Sequence, residues 1–171
     1  MGLEFPNSNR AFTLIEVAIV VGIIGILYAV SLWAIQPDLV KKAARDAVRI
    51  TDIGRLQSAI ENYISDNGVP PDVSGILRQS DVPASPSASP ALSNGYGWVG
   101  QDLQAYLEKL PLDPLNTGSS VYRYKRMGKD YELDAQLENN PNKMSNSDKD
   151  GDGGNSNVRF ERGTDLTILG D

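Results

Sequence analysis

Two groups of side chains in this 171-residue chain have the types and spacing to do chemistry. The first is a single residue, Glu16, the one charge in the apolar run from Phe12 to Ile35. An ionised carboxylate near the start of a membrane helix costs about 3 kcal/mol or more unless it finds a partner or stays at the interface. A free α-amino group beside it would be such a partner. The second group is Asp148, Asp150 and Asp152, carboxylates on alternate residues with Gly153 in the sixth position. Hard-cation loops wrap oxygen ligands around calcium in this way, so calcium is the cofactor the pattern suggests. Arg159 stands in the twelfth position, where such a loop requires a bidentate Glu, so only half the motif is present. The competing reading is a solvated acidic turn.

Other chemistry is largely excluded by composition. The chain has no histidine and no cysteine, which removes the usual general base, the Ser-His and Cys-His nucleophile pairs and the commonest zinc ligand. It also removes any disulfide, so stability must come from packing or a metal. Carboxylate pairs remain, but none has a recognisable catalytic context, and the chain reads as a non-enzyme. From Asp38 onward lie all but one of the 16 Lys and Arg and all but two of the 22 Asp and Glu, a net charge near −5. That acidity argues against nucleic acid as a specific partner.

These groups sit on very different elements. At about 1.5 Å per residue, a helix over Phe12 to Ile35 reaches roughly 36 Å, enough to cross a bilayer core. The apolar run is too long for a secretory signal peptide, and no small-residue cleavage site follows Ile35. It therefore reads as a retained anchor. Only Arg10 precedes it, whereas Lys41, Lys42, Arg45 and Arg49 follow. Counted alone, those charges would place the C-terminal side in the cytoplasm.

The hexapeptide Ala11-Phe-Thr-Leu-Ile-Glu16, after a short polar leader ending in Arg10, resembles the processing site of type IV prepilins. The resemblance implies that a prepilin peptidase cuts between Ala11 and Phe12, that the new Phe12 amine is N-methylated, and that Glu16 pairs with the N-terminal ammonium of a neighbouring subunit. Ala11 departs from the Gly usual before the cut, but is still small. In this family the leader stays in the cytoplasm, so the resemblance opposes the charge count. It implies a single-pass protein of the cytoplasmic membrane with its head outside the cytoplasm, transferred from the lipid bilayer by a membrane assembly platform into an extracellular or periplasmic filament of its own and related subunits.

Pro37 lacks a backbone donor and should kink or interrupt the helix at the membrane surface. After it, Ala43, Ala47, Ile50, Ile53, Ala59, Ile60, Tyr63 and Ile64 form the apolar face of a stem helix ended by Asn67-Gly68 and Pro70-Pro71. Residues 82–97 are rich in Ser, Pro and Ala and read as an exposed, mobile loop, with O-glycosylation as a lesser alternative. Trp98 to Leu110 reads as a short helix with Trp98, Leu103, Tyr106, Leu107 and Leu110 in the core. Val121 to Arg126 and Tyr131 to Leu137 alternate around Met127-Gly128-Lys129-Asp130 as a hairpin, with Val158 to Glu161 a third strand. Tyr122, Tyr124, Tyr131, Leu133, Ala135 and Leu137 should face the stem, and Arg123 and Lys125 should oppose Glu132 and Asp134 on the wet side. That pairing also accounts for the basic cluster Arg123, Lys125, Arg126 and Lys129 without DNA.

The expected organisation is thus a leader over 1–11, a membrane and filament-core helix over 12–36, an amphipathic stem over 37–67 and a head over 68–171 with an acidic loop at 145–157. The fold class is α+β: a long N-terminal helix packed on a small antiparallel sheet. Residues Leu110 to Asn139 also resemble the Pro-Asp-Pro segment and hairpin of type II secretion pseudopilins, in which a C-terminal calcium loop replaces a disulfide. The leading function is a filament subunit, pilus or pseudopilus. The alternative is an exported calcium-binding or enzymatic domain that merely shares the anchor.

Overall fold

The computed structural model describes residues 12–34, 37–138, 154, 156 and 158–170. Ala11 and the candidate calcium ligands Asp148, Asp150 and Asp152 lie outside the described residues. Two helices come first, α1 over Leu14–Ala34 and α2 over Pro37–Asn67. Pro37 opens α2, a position where a missing N–H costs no helix bond and the fixed φ suits the helix. At the other end, Gly68 takes φ +75° and its N–H bonds back to the Ile64 carbonyl at 2.7 Å, a left-handed helix cap that only glycine adopts cheaply. The chain divides into two units, Met1–Asp38 and Leu39–Asp171.

The second unit is α+β. Its four-stranded antiparallel sheet runs β1 (Leu77–Gln79), β2 (Tyr122–Met127), β3 (Asp130–Gln136) and β4 (Arg159–Gly163), in that spatial order. Met127 pairs with Asp130, so Gly128 and Lys129 alone form the turn, and Gly128 supplies the positive φ of 63° that such a tight hairpin needs. One face of the sheet packs on α2. Ile53, Leu56 and Ile60 meet Trp98, Val99, Leu103, Leu110, Tyr122, Tyr124, Leu133 and Phe160 in one buried cluster. Fully burying an Ile or Leu side chain is worth about 2 kcal/mol, so this seam is what gives a 31-residue polar helix a fixed place.

Four expectations need correction. Residues 98–110 form no helix: Leu103 and Leu110 donate their N–H groups to Ser93 and Ala91, and only the turn at Leu103 to Leu107 is helical in its bonding. The anchors Trp98, Leu103 and Leu110 are nevertheless buried, because an aromatic or Leu side chain is buried by its surroundings whether or not its backbone is helical. The Ser/Pro/Ala segment is not a loose loop. Ala84 N–H bonds Gly97 O at 2.7 Å, Trp98 N–H bonds Pro90 O at 3.0 Å, and Ser93 is buried with its hydroxyl on Glu108 O. Ala43 and Ala47 are exposed, so the seam along α2 starts only at Ile50.

The fourth correction concerns the wet side. The register pairs Arg123 with Asp134 and Lys125 with Glu132, but Glu132, Asp134 and Glu161 are fully buried. Residues 164–170 and Ser156 cover that face: Leu169 N–H donates to Glu132 and Ser156 N–H to Glu161. Period-two patterning says which side chains share a face, but a later segment decides whether that face is wet.

Candidate functional site

The apolar helix α1 starts on a hydrogen-bonded turn. Thr13 is its cap: the Thr13 hydroxyl accepts from the Glu16 N–H at 3.3 Å, and the Thr13 carbonyl from the N–H groups of Glu16 and Val17. Thr-x-x-Glu is the capping-box spacing, and the structure shows its threonine half, the Thr13 hydroxyl on the Glu16 N–H. The carboxylate has no ion pair among the described residues. Phe12, Glu16, Val17, Val20 and Val21 line one shallow groove at this end.

Every described side chain of α1 is exposed, its large apolar ones by between 51% at Val20 and 89% at Leu14. The span Leu14–Ser31 has a mean hydropathy of 2.5. Soluble monomers do not carry an apolar column of this length in water. It must be covered by lipid or by other helices.

In the second unit the functional geometry is a charge cluster between stem and head. Arg49 is completely buried. Its guanidinium binds Asp113 bidentately, at 2.6 and 2.9 Å, and its third nitrogen bonds Asp46 at 2.8 Å and Glu138 at 2.6 Å. Arg45 forks onto Glu138, whose own N–H returns to Asp46. Burial opposes the charge on Arg49, but the hydrogen bonds it donates to Asp113, Glu138 and Asp46 outweigh it and raise its pKa. Glu138 is held down to about 2, first by the bond from Arg45 and then by Arg49.

Asp113 belongs to the Leu-Asp-Pro turn and accepts from the N–H groups of Leu115 and Asn116 as well, so the Pro-Asp-Pro segment of the sequence is a socket for the stem. Neither Arg49 nor Asp113 stands out by spacing: 64 residues separate them, and a buried arginine looks like any other charge on an amphipathic helix. A second knot holds the loop after the stem. Asp72, at φ +72°, accepts from Arg78, Val73 N–H and Gly100 N–H; burial opposes its charge, but the Arg78 bonds and then those two N–H groups outweigh it and lower its pKa.

These arrangements bind and position, and neither offers a nucleophile or a proton relay. A capped, wholly exposed apolar helix and a head docked on the following helix form the architecture of a filament subunit. Residues 6–31 match the model of the prokaryotic N-terminal methylation motif. The type II secretion system core protein G of Pseudomonas aeruginosa is 30% identical over 151 residues, which are 87% of this chain and 96% of that protein. The chain belongs to the core protein G family. No solved structure matches it. As a member of this pseudopilin family it is a structural subunit of a pilus-type filament, anchored through α1 and assembling with other subunits of its kind.

Replacing Arg49 by Met should leave the fully buried Asp113 carboxylate without its cation and destabilise the second unit by about 3 to 5 kcal/mol, measured by urea unfolding. Arg49→Lys should recover only part of this, since an ammonium cannot bridge Asp113 bidentately. Glu138, whose carboxyl is depressed, adds stability that is complete above the unfolded value near 4.5 and lost as pH falls through about 2. The Glu138→Gln chain should lack that acid-side loss.

Proposed function

We propose that the chain is a pseudopilus subunit made as a precursor, cut by a prepilin peptidase between Ala11 and Phe12 and N-methylated on Phe12. The observation that carries this reading is the placement of Thr13 and Glu16 at the first turn of a fully exposed apolar helix. Cleavage before Phe12 puts a cationic amine four residues from Glu16, within reach of a neighbouring copy's carboxylate. That ion pair removes the cost of a lone charge in an apolar bundle and sets the axial register of the subunits. The subunit waits in the cytoplasmic membrane with its head outside the cytoplasm, and an assembly platform moves it into the filament. Its role is structural, without catalysis.

Two finer features belong to the same reading. Pro37 separates the filament-core helix from the stem by removing a backbone donor where one helix gives way to the other. Asp148, Asp150 and Asp152 hold calcium in the acidic loop between β3 and β4, where an ion substitutes for the cross-link that a cysteine-free head lacks. A secretion pseudopilus is favoured over a surface pilus by the relationship to core protein G.

The Glu16→Ala protein should be inserted and processed but fail to appear in sheared filament fractions, while the wild-type subunit should show an intact mass beginning at a methylated Phe12. Filaments at wild-type yield from Glu16→Ala, or a mature mass that retains residues 1–11, would contradict this reading. Millimolar calcium should raise the melting temperature of the full chain in detergent, and the Asp150→Ala, Asp152→Ala double variant should lose that rise. A wild-type chain indifferent to calcium would remove the metal.

A further inference from the structure

The sheet ends on β1, and the edge it presents there is open. The register sets Arg78 against Tyr124, and two residues on Ser80 N–H donates to the Tyr122 carbonyl at 2.9 Å. In an antiparallel ladder the residues beside such a bonded pair turn their backbone groups the other way, so Leu77 and Gln79 point theirs out of the sheet. The Gln79 carbonyl is taken by Val82 N–H. The Leu77 N–H, the Leu77 carbonyl and the Gln79 N–H have no partner among the described residues. At the opposite edge Ser156 meets β4, where its hydroxyl accepts from Arg159 N–H at 3.1 Å.

The open edge is held rigidly. Arg78 forks onto Asp72 in a tight cradle, since a Cβ on Gly100 would stand 2.4 Å from Arg78 Nη2. Ahead of the strand, Gly75 N–H bonds Arg126 O at 2.7 Å, and the Ser74 hydroxyl accepts from Gly128 N–H at 2.9 Å. The outward backbone groups are thus aligned before anything binds, which lowers the ordering cost of adding a strand. Val73, Ile76, Leu77 and Met127 are exposed around them, Leu77 by 47%. By the register, Leu77, Lys125 and Met127 share one face of the sheet.

The charge at this corner says what fits. Lys125, Arg126 and Lys129 form no ion pair among the described residues, although Lys125 stands across from Glu132 in the register. Three uncommitted cations beside an open edge favour acidic side chains on an incoming strand. They also disfavour a second copy, because pairing β1 with β1 would set both sets of cations against each other.

We propose that β1 is a docking edge for an extended, acidic segment of a partner protein, which adds to the sheet as one more strand. Its backbone bonds to Leu77 and Gln79, its apolar side chains cover Leu77 and Met127, and its carboxylates meet Lys125 and Lys129. β1 is only three residues long, so the added strand is short and the contact transient.

The test is a titration of the full chain, in zwitterionic detergent micelles, with a blocked peptide of alternating valine and glutamate, followed by amide NMR. The Leu77 and Gln79 amides should shift and become protected from exchange. Gln79→Pro removes the outward N–H and leaves the β1 to β2 ladder its bonds, so it should weaken binding by about tenfold. The same peptide with lysine in place of glutamate should not bind. No binding at millimolar peptide, or binding unchanged by Gln79→Pro, overturns the proposal. Shifts at Leu77 and Gln79 that grow with protein concentration alone would mean that a second copy fills the edge, and would also overturn it. Should Gln79→Pro not fold, the Lys125→Glu, Lys129→Glu double variant decides, as neither side chain is buried. It should lose the glutamate peptide and gain the lysine one, and an unchanged preference overturns the proposal.

Discussion

The structure of the second unit depends on one buried guanidinium. Arg49 leaves water completely, and the transfer is tolerable only because Asp113, Asp46 and Glu138 arrive from three places to surround it. Those three positions, the stem itself, the turn after the long loop and the end of β3, are thereby fixed relative to one another. The apolar seam of Ile53, Leu56 and Ile60 supplies most of the burial, but it would tolerate sliding along the helix. A bidentate fork does not, so the cluster sets the register of stem against head.

This division of labour explains how a subunit of this kind can exist both in a membrane and in a filament. The buried core cluster of the described residues lies within Leu39–Asp171. The apolar column of α1 is left free to exchange lipid for neighbouring helices. Glu16 sits in the first turn of that column, on the Thr13 cap.

What the sequence made legible were features with local spacing. The anchor, the stop of the stem at Gly68, the hairpin about Gly128 and the strand that includes Phe160 all follow from period and turn chemistry. The core residues Trp98, Leu103 and Leu110 could be named from hydrophobicity even though the helix expected around them does not form. Interactions between distant residues left no such trace. Arg49 and Asp113 read as ordinary surface charges, and β1 is three residues long with an exposed leucine at one end. The covered face of the sheet was invisible for another reason: its carboxylates alternate as a wet face would, and later segments, with Leu169 on Glu132 and Ser156 on Glu161, cover it.

The central claim is that stem and head form one cooperative body joined through Arg49. Native-state hydrogen exchange of the unassembled full chain in micelles tests it directly, by comparing the amides of residues 46–60 in α2 with those of β2 and β3. The account predicts that both sets exchange with the same opening free energy and the same denaturant dependence, because the stem cannot leave without exposing the buried charge cluster. Stem amides that open at markedly lower free energy while the sheet stays protected would contradict it.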